Sequence, residues 1–253
     1  MKNCMYGFLL AVQFLTRIPI PLSCPWNKKT SKWALRSYPV VGLLLGTIIT
    51  VIALFLHPYL PEVMLVLFIM TLWVWLTGGL HLDGWMDVAD AVGSNASVEK
   101  KWQIMKDPHV GSFGILALVF LLSWKGMFIY SILDISIELI YVFLVILSLS
   151  RLSAVILLFI MPAAKQEGLA YEWKKHLHSL DIFIAVLPVF VLFLFFPSYL
   201  FLIPAYLLFI VLFGLWVKHT FKGINGDLLG TVMEGGELWG LAMVWIFFSF
   251  VMG

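Results

Sequence analysis

Gly78-Gly79-Leu80-His81-Leu82-Asp83-Gly84-Trp85-Met86-Asp87-Val88-Ala89-Asp90 is the stretch on which the reading of this chain turns. It follows an apolar run and spaces three aspartates by four and then three residues. Residues three and four apart are neighbours on a helix, so Asp83, Asp87 and Asp90 share one narrow stripe. Charged residues make up only 12% of the chain, and like charges this close repel one another. A cation relieves that repulsion, and an all-oxygen donor set suits Mg²⁺ or Mn²⁺ rather than zinc. One aspartate at the centre of a membrane helix costs about 2.5–3.5 kcal/mol on insertion scales. The stripe therefore belongs at a membrane interface or along a wet cavity. Gly78, Gly79 and Gly84 leave room for a ligand against the backbone. The spacing alone is also compatible with a solvated helical turn; the scarcity of charge and the neighbouring loop favour a site.

The chain has 253 residues and is 62% hydrophobic, against about 45–50% in soluble domains. The excess is gathered in long runs, which read as transmembrane helices. The expected spans are Val40 to Leu56, Val63 to Leu80, Phe113 to Leu133, Leu139 to Met161, Ile182 to Phe196, Ser198 to Val217 and Leu238 to Met252. Lys125 and Arg151 interrupt the third and fourth. Tyr6 to Ile20 is apolar but carries Arg17 and ends at Pro19 and Pro21, which fits a span or an interfacial or re-entrant segment. The fold expected is an all-α integral membrane protein, a bundle of about seven transmembrane helices, with residues 1–253 forming a single polytopic domain. Thr16-Arg17-Ile18-Pro19 offers no small-residue cleavage site, so no cleavable signal peptide is expected. Cys4 and Cys24 give neither a disulfide framework nor metal-binding spacing. A net charge of +2 gives no reason to expect nucleic acid.

Lys and Arg collect in every second loop. Leu22 to Tyr38, His81 to Ser112, Pro162 to Asp181 and Lys218 to Glu237 hold them, whereas His57 to Glu62 and Asp134 to Glu138 have none. The positive-inside rule places the basic loops in the cytoplasm. The same loops carry nearly all the chemistry-capable side chains, so the active surface is expected on the cytoplasmic side. A transporter more often places its ionisable groups at mid-membrane.

Further candidates lie in those loops. Ile104-Met105-Lys106-Asp107-Pro108-His109-Val110-Gly111-Ser112-Phe113-Gly114 adds a cation, an acid and a histidine before a helix whose free N–H groups suit phosphate. Arg151, inside an apolar run, reads as a cation reaching a substrate phosphate or as an interfacial arginine. Lys222-Gly223-Ile224-Asn225-Gly226-Asp227-Leu228-Leu229-Gly230 could wrap a phosphate or a base, with Asp227 as ligand or contact. His81 sits off the aspartate stripe, as a partner behind it. Glu234 and Glu237 are expected at a solvated helix start.

The Gly-Gly-Leu-His-Leu-Asp-Gly run, with Asp87, Asp90, Ile104-Met105-Lys106-Asp107 and Gly111-Ser112-Phe113-Gly114, resembles the cobalamin synthase family, the adenosylcobinamide-GDP ribazoletransferases. Phe14-Leu15-Thr16-Arg17-Ile18-Pro19, Tyr38-Pro39-Val40-Val41-Gly42, Ser150-Arg151-Leu152, Glu167-Gly168-Leu169 and Gly226-Asp227-Leu228-Leu229-Gly230 follow in the expected order. The resemblance covers almost the whole chain. Departures are Pro108-His109, where relatives often have a small residue and arginine, and Lys222 and Asn225, where glycine and threonine are common.

The resemblance implies a late step of cobalamin (vitamin B12) biosynthesis in the cytoplasmic (inner) membrane, by a multi-pass, Mg²⁺-dependent enzyme. Adenosylcobinamide-GDP and α-ribazole, or α-ribazole 5′-phosphate, would give adenosylcobalamin or its 5′-phosphate, with GMP released. Under that reading Asp83, Asp87 and Asp90 hold Mg²⁺, and Asp107 is a further ligand or the proton acceptor. Lys106, Arg151 and Arg17 hold phosphate charge, while Gly79, His81, His109, Asn225 and Asp227 contact substrate. The partners are those small molecules and the lipid bilayer, with self-association left open. The rival readings are another Asp-rich membrane transferase, of the CDP-alcohol phosphotransferase or prenyltransferase type, or a transporter.

Overall fold

The computed structural model describes residues 2–251. Those residues are almost entirely helical and contain no strand; one isolated bridge joins Ala163 and Ile224. Eleven helices follow in order: α1 (Lys2–Leu15), α2 (Lys28–Leu56), α3 (Glu62–Thr77), α4 (Leu80–Gly93), α5 (Val98–Ile104), α6 (Ser112–Ile135), α7 (Val142–Ile160), α8 (Leu169–Lys174), α9 (Ser179–Phe195), α10 (Leu202–Thr220) and α11 (Gly226–Phe250). In a bilayer every backbone polar group must be satisfied internally, which favours this all-helical solution.

Four segments are long and apolar enough to cross a membrane: Lys28–Leu56, Ser112–Ile135, Ile137–Ile160 and Pro197–Thr220. Counting the bent pair α3 and α4 as one crossing gives five. Length accounts for much of the difference from the expected spans. The 16 residues of α3 rise about 24 Å, short of a hydrocarbon core of about 30 Å. Val63 to Leu80 ends at Gly78-Gly79, where the chain bends by 91° into α4. The apolar α9 has 17 residues. α11 is long enough, but its first half carries Asp227, Glu234 and Glu237. The expected final span ran to Met252, which lies outside the described residues. α2 also begins earlier than its apolar run. Asn27 accepts from the backbone of Lys29 and Thr30 while the Thr30 hydroxyl accepts from the Asn27 N–H, a capping box that starts the helix in the basic loop.

The centre of the bundle is α7, flanked chiefly by α2 and α11 and buried along most of its length. The outer helices turn large apolar side chains outward, among them Phe120 and Trp124 on α6, Phe190 and Leu194 on α9, and Val211 and Leu215 on α10. So much exposed apolar surface belongs against lipid.

A set of charges is enclosed within the bundle. Lys125 of α6 lies 2.5 Å from both Glu234 and Glu237 of α11 and 4.7 Å from the centre of the Trp73 ring. Arg151 of α7 pairs with Glu237 and donates to Ser150 Oγ at 2.9 Å. The solvated position expected for Glu234 and Glu237 is overturned: they are 3% and 0% exposed. Two cations balance two anions here, and the arrangement ties α6, α7 and α11 together. Near one end of the bundle, Arg36 of α2 meets buried Asp181 of α9 at 2.5 Å. Lys174 caps the end of α7 through the Leu158 and Phe159 carbonyls, both at 2.7 Å.

Candidate active site

The aspartate stripe is placed by two consecutive left-handed glycines. Gly78 has φ +70° and Gly79 φ +74°, a backbone region that L side chains rarely adopt. They stop α3 and swing α4 away from it. The segment after α1 closes over this turn: the Arg17 N–H donates to the Leu76 carbonyl at 2.7 Å, and the Arg17 side chain covers Gly78.

α4 then crosses the start of α11 at close range. A Cβ on Gly84 would stand 2.7 Å from the Asp227 carbonyl oxygen, and one on Gly230 would stand 3.1 Å from His81 Cα. The Thr231 hydroxyl donates to the Gly84 carbonyl at 3.2 Å. This contact carries Asp227 to the acidic stripe. Burial, followed by the charges of Asp83, Asp227 and Asp90, raises the Asp87 carboxyl to about 7. Burial also raises Asp227, with a contribution from Asp83; the Asn225 amide, donating at 2.7 Å, acts the other way. Asn225 Oδ1 in turn accepts from the Leu228 N–H at 3.0 Å and caps α11.

Asp90 has a different set of partners. Its carboxylate accepts from the Gly111 N–H at 2.8 Å and the Gly114 N–H at 2.9 Å, holding the first turn of α6. The acids that gather are therefore Asp83, Asp87 and Asp227, with Asp90 joined to the α6 start. Among the described residues no three His, Cys, Asp or Glu side chains stand close enough to hold a metal ion by themselves. Carboxylates that raise one another's affinity for protons nevertheless suit a hard cation. Mg²⁺ commonly takes only one or two carboxylates and completes its shell with water and substrate phosphate.

Three cavities adjoin through these acids. One of about 500 Å³ lies beside Arg17, Gly79 and Asp83. A second, of about 220 Å³, has Asp83 and Asp227 on its wall and His81 beside them. The third, of about 340 Å³, reaches from Asp227 and Asn225 to Lys106 and Lys165. The loops around the third are stitched together, with the Ala164 N–H donating to the Ile224 carbonyl at 2.9 Å and the Ile224 N–H to the Pro162 carbonyl at 2.8 Å. Hydrogen bonding and repulsion from Lys106 lower the Lys165 amine. Two ammonium groups so close make a receptive place for an anion. The outcome is one cleft, acidic at its middle and basic at both ends.

Residues 7–245 match the family model described as cobalamin-5-phosphate synthase. The chain belongs to that family.

An adenosylcobinamide-GDP ribazoletransferase of Geobacillus sp. (strain WCH70) is 36% identical over 262 positions, covering 100% of both chains. Proteins of the same name from Halalkalibacterium halodurans and Acinetobacter baumannii (strain ATCC 17978) are 33% and 35% identical, covering 98% and 92% of this chain and 98% and 94% of theirs. No solved structure matches. These family relations do not favour the CDP-alcohol phosphotransferase, prenyltransferase or transporter readings.

Set against this cleft, the candidates divide. Asp83, Asp87, Asp227, Arg17, Gly79, Lys106 and Asn225 lie in or beside it, and His81 is buried on its inner wall. Asp107 and His109 form their own exposed pair, Nδ1 to Oδ1 at 2.7 Å. The two hydrogen bonds from His109 hold the Asp107 carboxyl below its ordinary value. Arg151 is 0% exposed and committed to Glu237, so it does not open onto the acidic face. Lys165 and Trp173 were not anticipated from the sequence. Lys165 carries no local motif; Trp173 reads as an interfacial aromatic until its neighbours are known.

Proposed function

We infer that this cleft carries out the family reaction, with Asp83, Asp87 and Asp227 as its acidic centre. A hydroxyl of α-ribazole, or of α-ribazole 5′-phosphate, attacks the phosphorus bearing the corrinoid's aminopropanol arm. The new P–O bond forms as the pyrophosphate P–O bond breaks, and GMP departs with that bridging oxygen. The product is adenosylcobalamin or its 5′-phosphate.

The observation that carries this reading is the convergence of α4 and α11 at Gly84 and Asp227, which gathers acids between two basic pockets. A diphosphate has complementary needs: cations along its oxygens and a base near the entering hydroxyl. Two of the three carboxylates of Asp83, Asp87 and Asp227 would hold Mg²⁺, with water and substrate phosphate completing its shell and Asp90 fixing α6 behind them. Bound there, Mg²⁺ supplies charge neutralisation of the phosphate oxygens. Arg17 and the Lys106–Lys165 pair bind and orient the two ends of the phosphorylated substrates. The Asp87 carboxyl, raised to about 7, must lose its proton before it meets the cation. Asp107 stands one residue beyond Lys106 and steadies that loop through His109.

We also place the cleft on the cytoplasmic side of the inner membrane. The polar segments between the apolar runs on that side hold Lys28, Lys32, Lys100, Lys174 and Lys222, whereas His57 to Glu62 and Asp134 to Glu138 hold no Lys or Arg. With α2, α3, α6, α7, α9, α10 and α11 crossing alternately, the chain makes about seven passes and α4 turns along the interface.

The test is the release of GMP from adenosylcobinamide-GDP plus α-ribazole by Asp83→Asn and Asp87→Asn proteins. Both should remain in the membrane and lose turnover. Normal turnover by either would remove the acidic centre from the mechanism.

A further inference from the structure

The cavity of about 220 Å³ between the acids and the bundle interior differs from the other two parts of the cleft. Its walls are mostly apolar and aromatic, with Phe14, Tyr38, Trp173 and Met233 among them, while Asp83 and Asp227 lie at the same space. Trp173, on the short α8, has Phe14 at 4.9 Å and Tyr38 edge-on at 5.4 Å between ring centres. It is 3% exposed, and its indole N–H has no hydrogen-bond partner. His81 on the same cavity is 4% exposed, and neither ring nitrogen has a partner. Buried donors are nearly always paired, so an unpaired indole N–H beside an aromatic-walled cavity calls for an explanation.

We propose that this cavity is the subsite for the base of the acceptor nucleoside, and that the Trp173 N–H donates to that base's free ring nitrogen. The inference rests on the ribazoletransferase reading above and specifies where one substrate binds. An N-glycosylated benzimidazole is an apolar bicycle with a single acceptor nitrogen and no donor. A cavity with mostly apolar walls and few polar groups, among them the unpartnered Trp173 N–H, complements it. Guanine, the base of the leaving nucleotide, carries donors and acceptors around most of its edge and would leave several unpaired against Phe14, Leu158 and Met233. With the base seated here, its ribose faces Asp83 and Asp227, where the reacting hydroxyl is needed.

The experiment uses the full-length protein in detergent or liposomes, with α-ribazole and the riboside of the corresponding indole, which has C–H in place of the free nitrogen. Wild-type protein should bind the indole analogue about three- to tenfold more weakly, the loss expected for one net hydrogen bond. Trp173→Phe keeps an aromatic ring and removes the donor. It should raise KM for α-ribazole by a similar factor, leave KM for adenosylcobinamide-GDP unchanged, and bind the two ribosides equally. Equal binding of the two ribosides by wild-type protein would overturn the proposal without any variant. So would a Trp173→Phe effect confined to the GDP-activated substrate, or displacement of bound α-ribazole by GMP. Equilibrium riboside binding is measured without turnover. A protein that binds α-ribazole with this nitrogen dependence yet releases no GMP would refute the catalytic reading and leave the subsite standing.

Discussion

Gly84→Ala should damage catalysis much more than stability. The added Cβ would lie 2.7 Å from the Asp227 carbonyl oxygen and 2.9 Å from Asp227 Cα. Favourable contacts between such atoms begin near about 3.5 Å, so α4 and α11 must separate by roughly 0.5–0.8 Å. Overpacking of this kind costs about 1–3 kcal/mol. Replacing a helical glycine by alanine returns about 1 kcal/mol through backbone entropy. The net loss of stability is therefore about 0–2 kcal/mol, and the protein folds. The separation, however, moves Asp83 and Asp87 relative to Asp227. A misplacement of about 1 Å can cost a hundredfold in rate, so a fall in kcat of about ten- to a hundredfold is expected. GMP release at saturating substrate, paired with thermal unfolding in the same detergent, measures both quantities. Gly235→Ala is the control, since its Cβ would meet Trp85 at an ordinary 3.5 Å; stability and rate should be unchanged or slightly improved. If Gly84→Ala folds and keeps more than half the wild-type kcat, the spacing of α4 against α11 does not govern the chemistry.

Asp90→Ala removes the acceptor for two backbone N–H groups and should cost about 1–2 kcal/mol in thermal stability, with a smaller fall in kcat than Asp83→Asn. Mg²⁺ affinity, followed by titration calorimetry, should rise as pH increases from about 6 to 8, because the Asp87 carboxyl near 7 must lose its proton to meet the cation. The rise should flatten above that value and largely vanish in Asp87→Asn. Arg151→Met leaves one of two cations against the buried Glu234 and Glu237 and should cost about 3–5 kcal/mol, seen as poor recovery of folded protein. Adding Glu237→Gln should restore part of that recovery.

The helical, membrane-embedded character of the chain was legible because long apolar runs have few alternatives. Phe113 to Leu133 and Ser198 to Val217 fall within the spanning segments Ser112–Ile135 and Pro197–Thr220, and Leu139 to Met161 runs one residue past Ile137–Ile160. The turn at Gly78-Gly79 was less legible, because hydropathy does not register a change of direction. Nor does it show that Lys28 to Tyr38 is helical, since the Asn27–Thr30 cap is a local device among polar residues. At the site, Asp83 and Asp87 were readable from helical periodicity. Asp90 shares that periodicity, but its use depends on where the start of α6 lies. Asp227 could be named only as one acid in a weak loop, because its place beside Asp83 comes from the close approach of Gly84 to Asp227, which lie far apart in sequence.

Arg151 shows how a rare intramembrane charge can belong to the frame of a site. The bundle encloses one charge cluster and partly exposes another. In the enclosed one, Lys125 and Arg151 match Glu234 and Glu237 in charge, although Arg151 Nε and Nη2 have no hydrogen-bond partner. In the cleft, no ion pair among the described residues reaches Asp83, Asp87 or Asp227. A matched cluster loses stability when one member is removed, whereas an unmatched cluster gains it when a cation or cationic substrate group arrives. The first arrangement fixes α6, α7 and α11 relative to one another; the second, carried by α4 and the start of α11, is left in need of a ligand. His81 and Gly230 meet at the junction between them, beside the cavity that Asp83 and Asp227 also line.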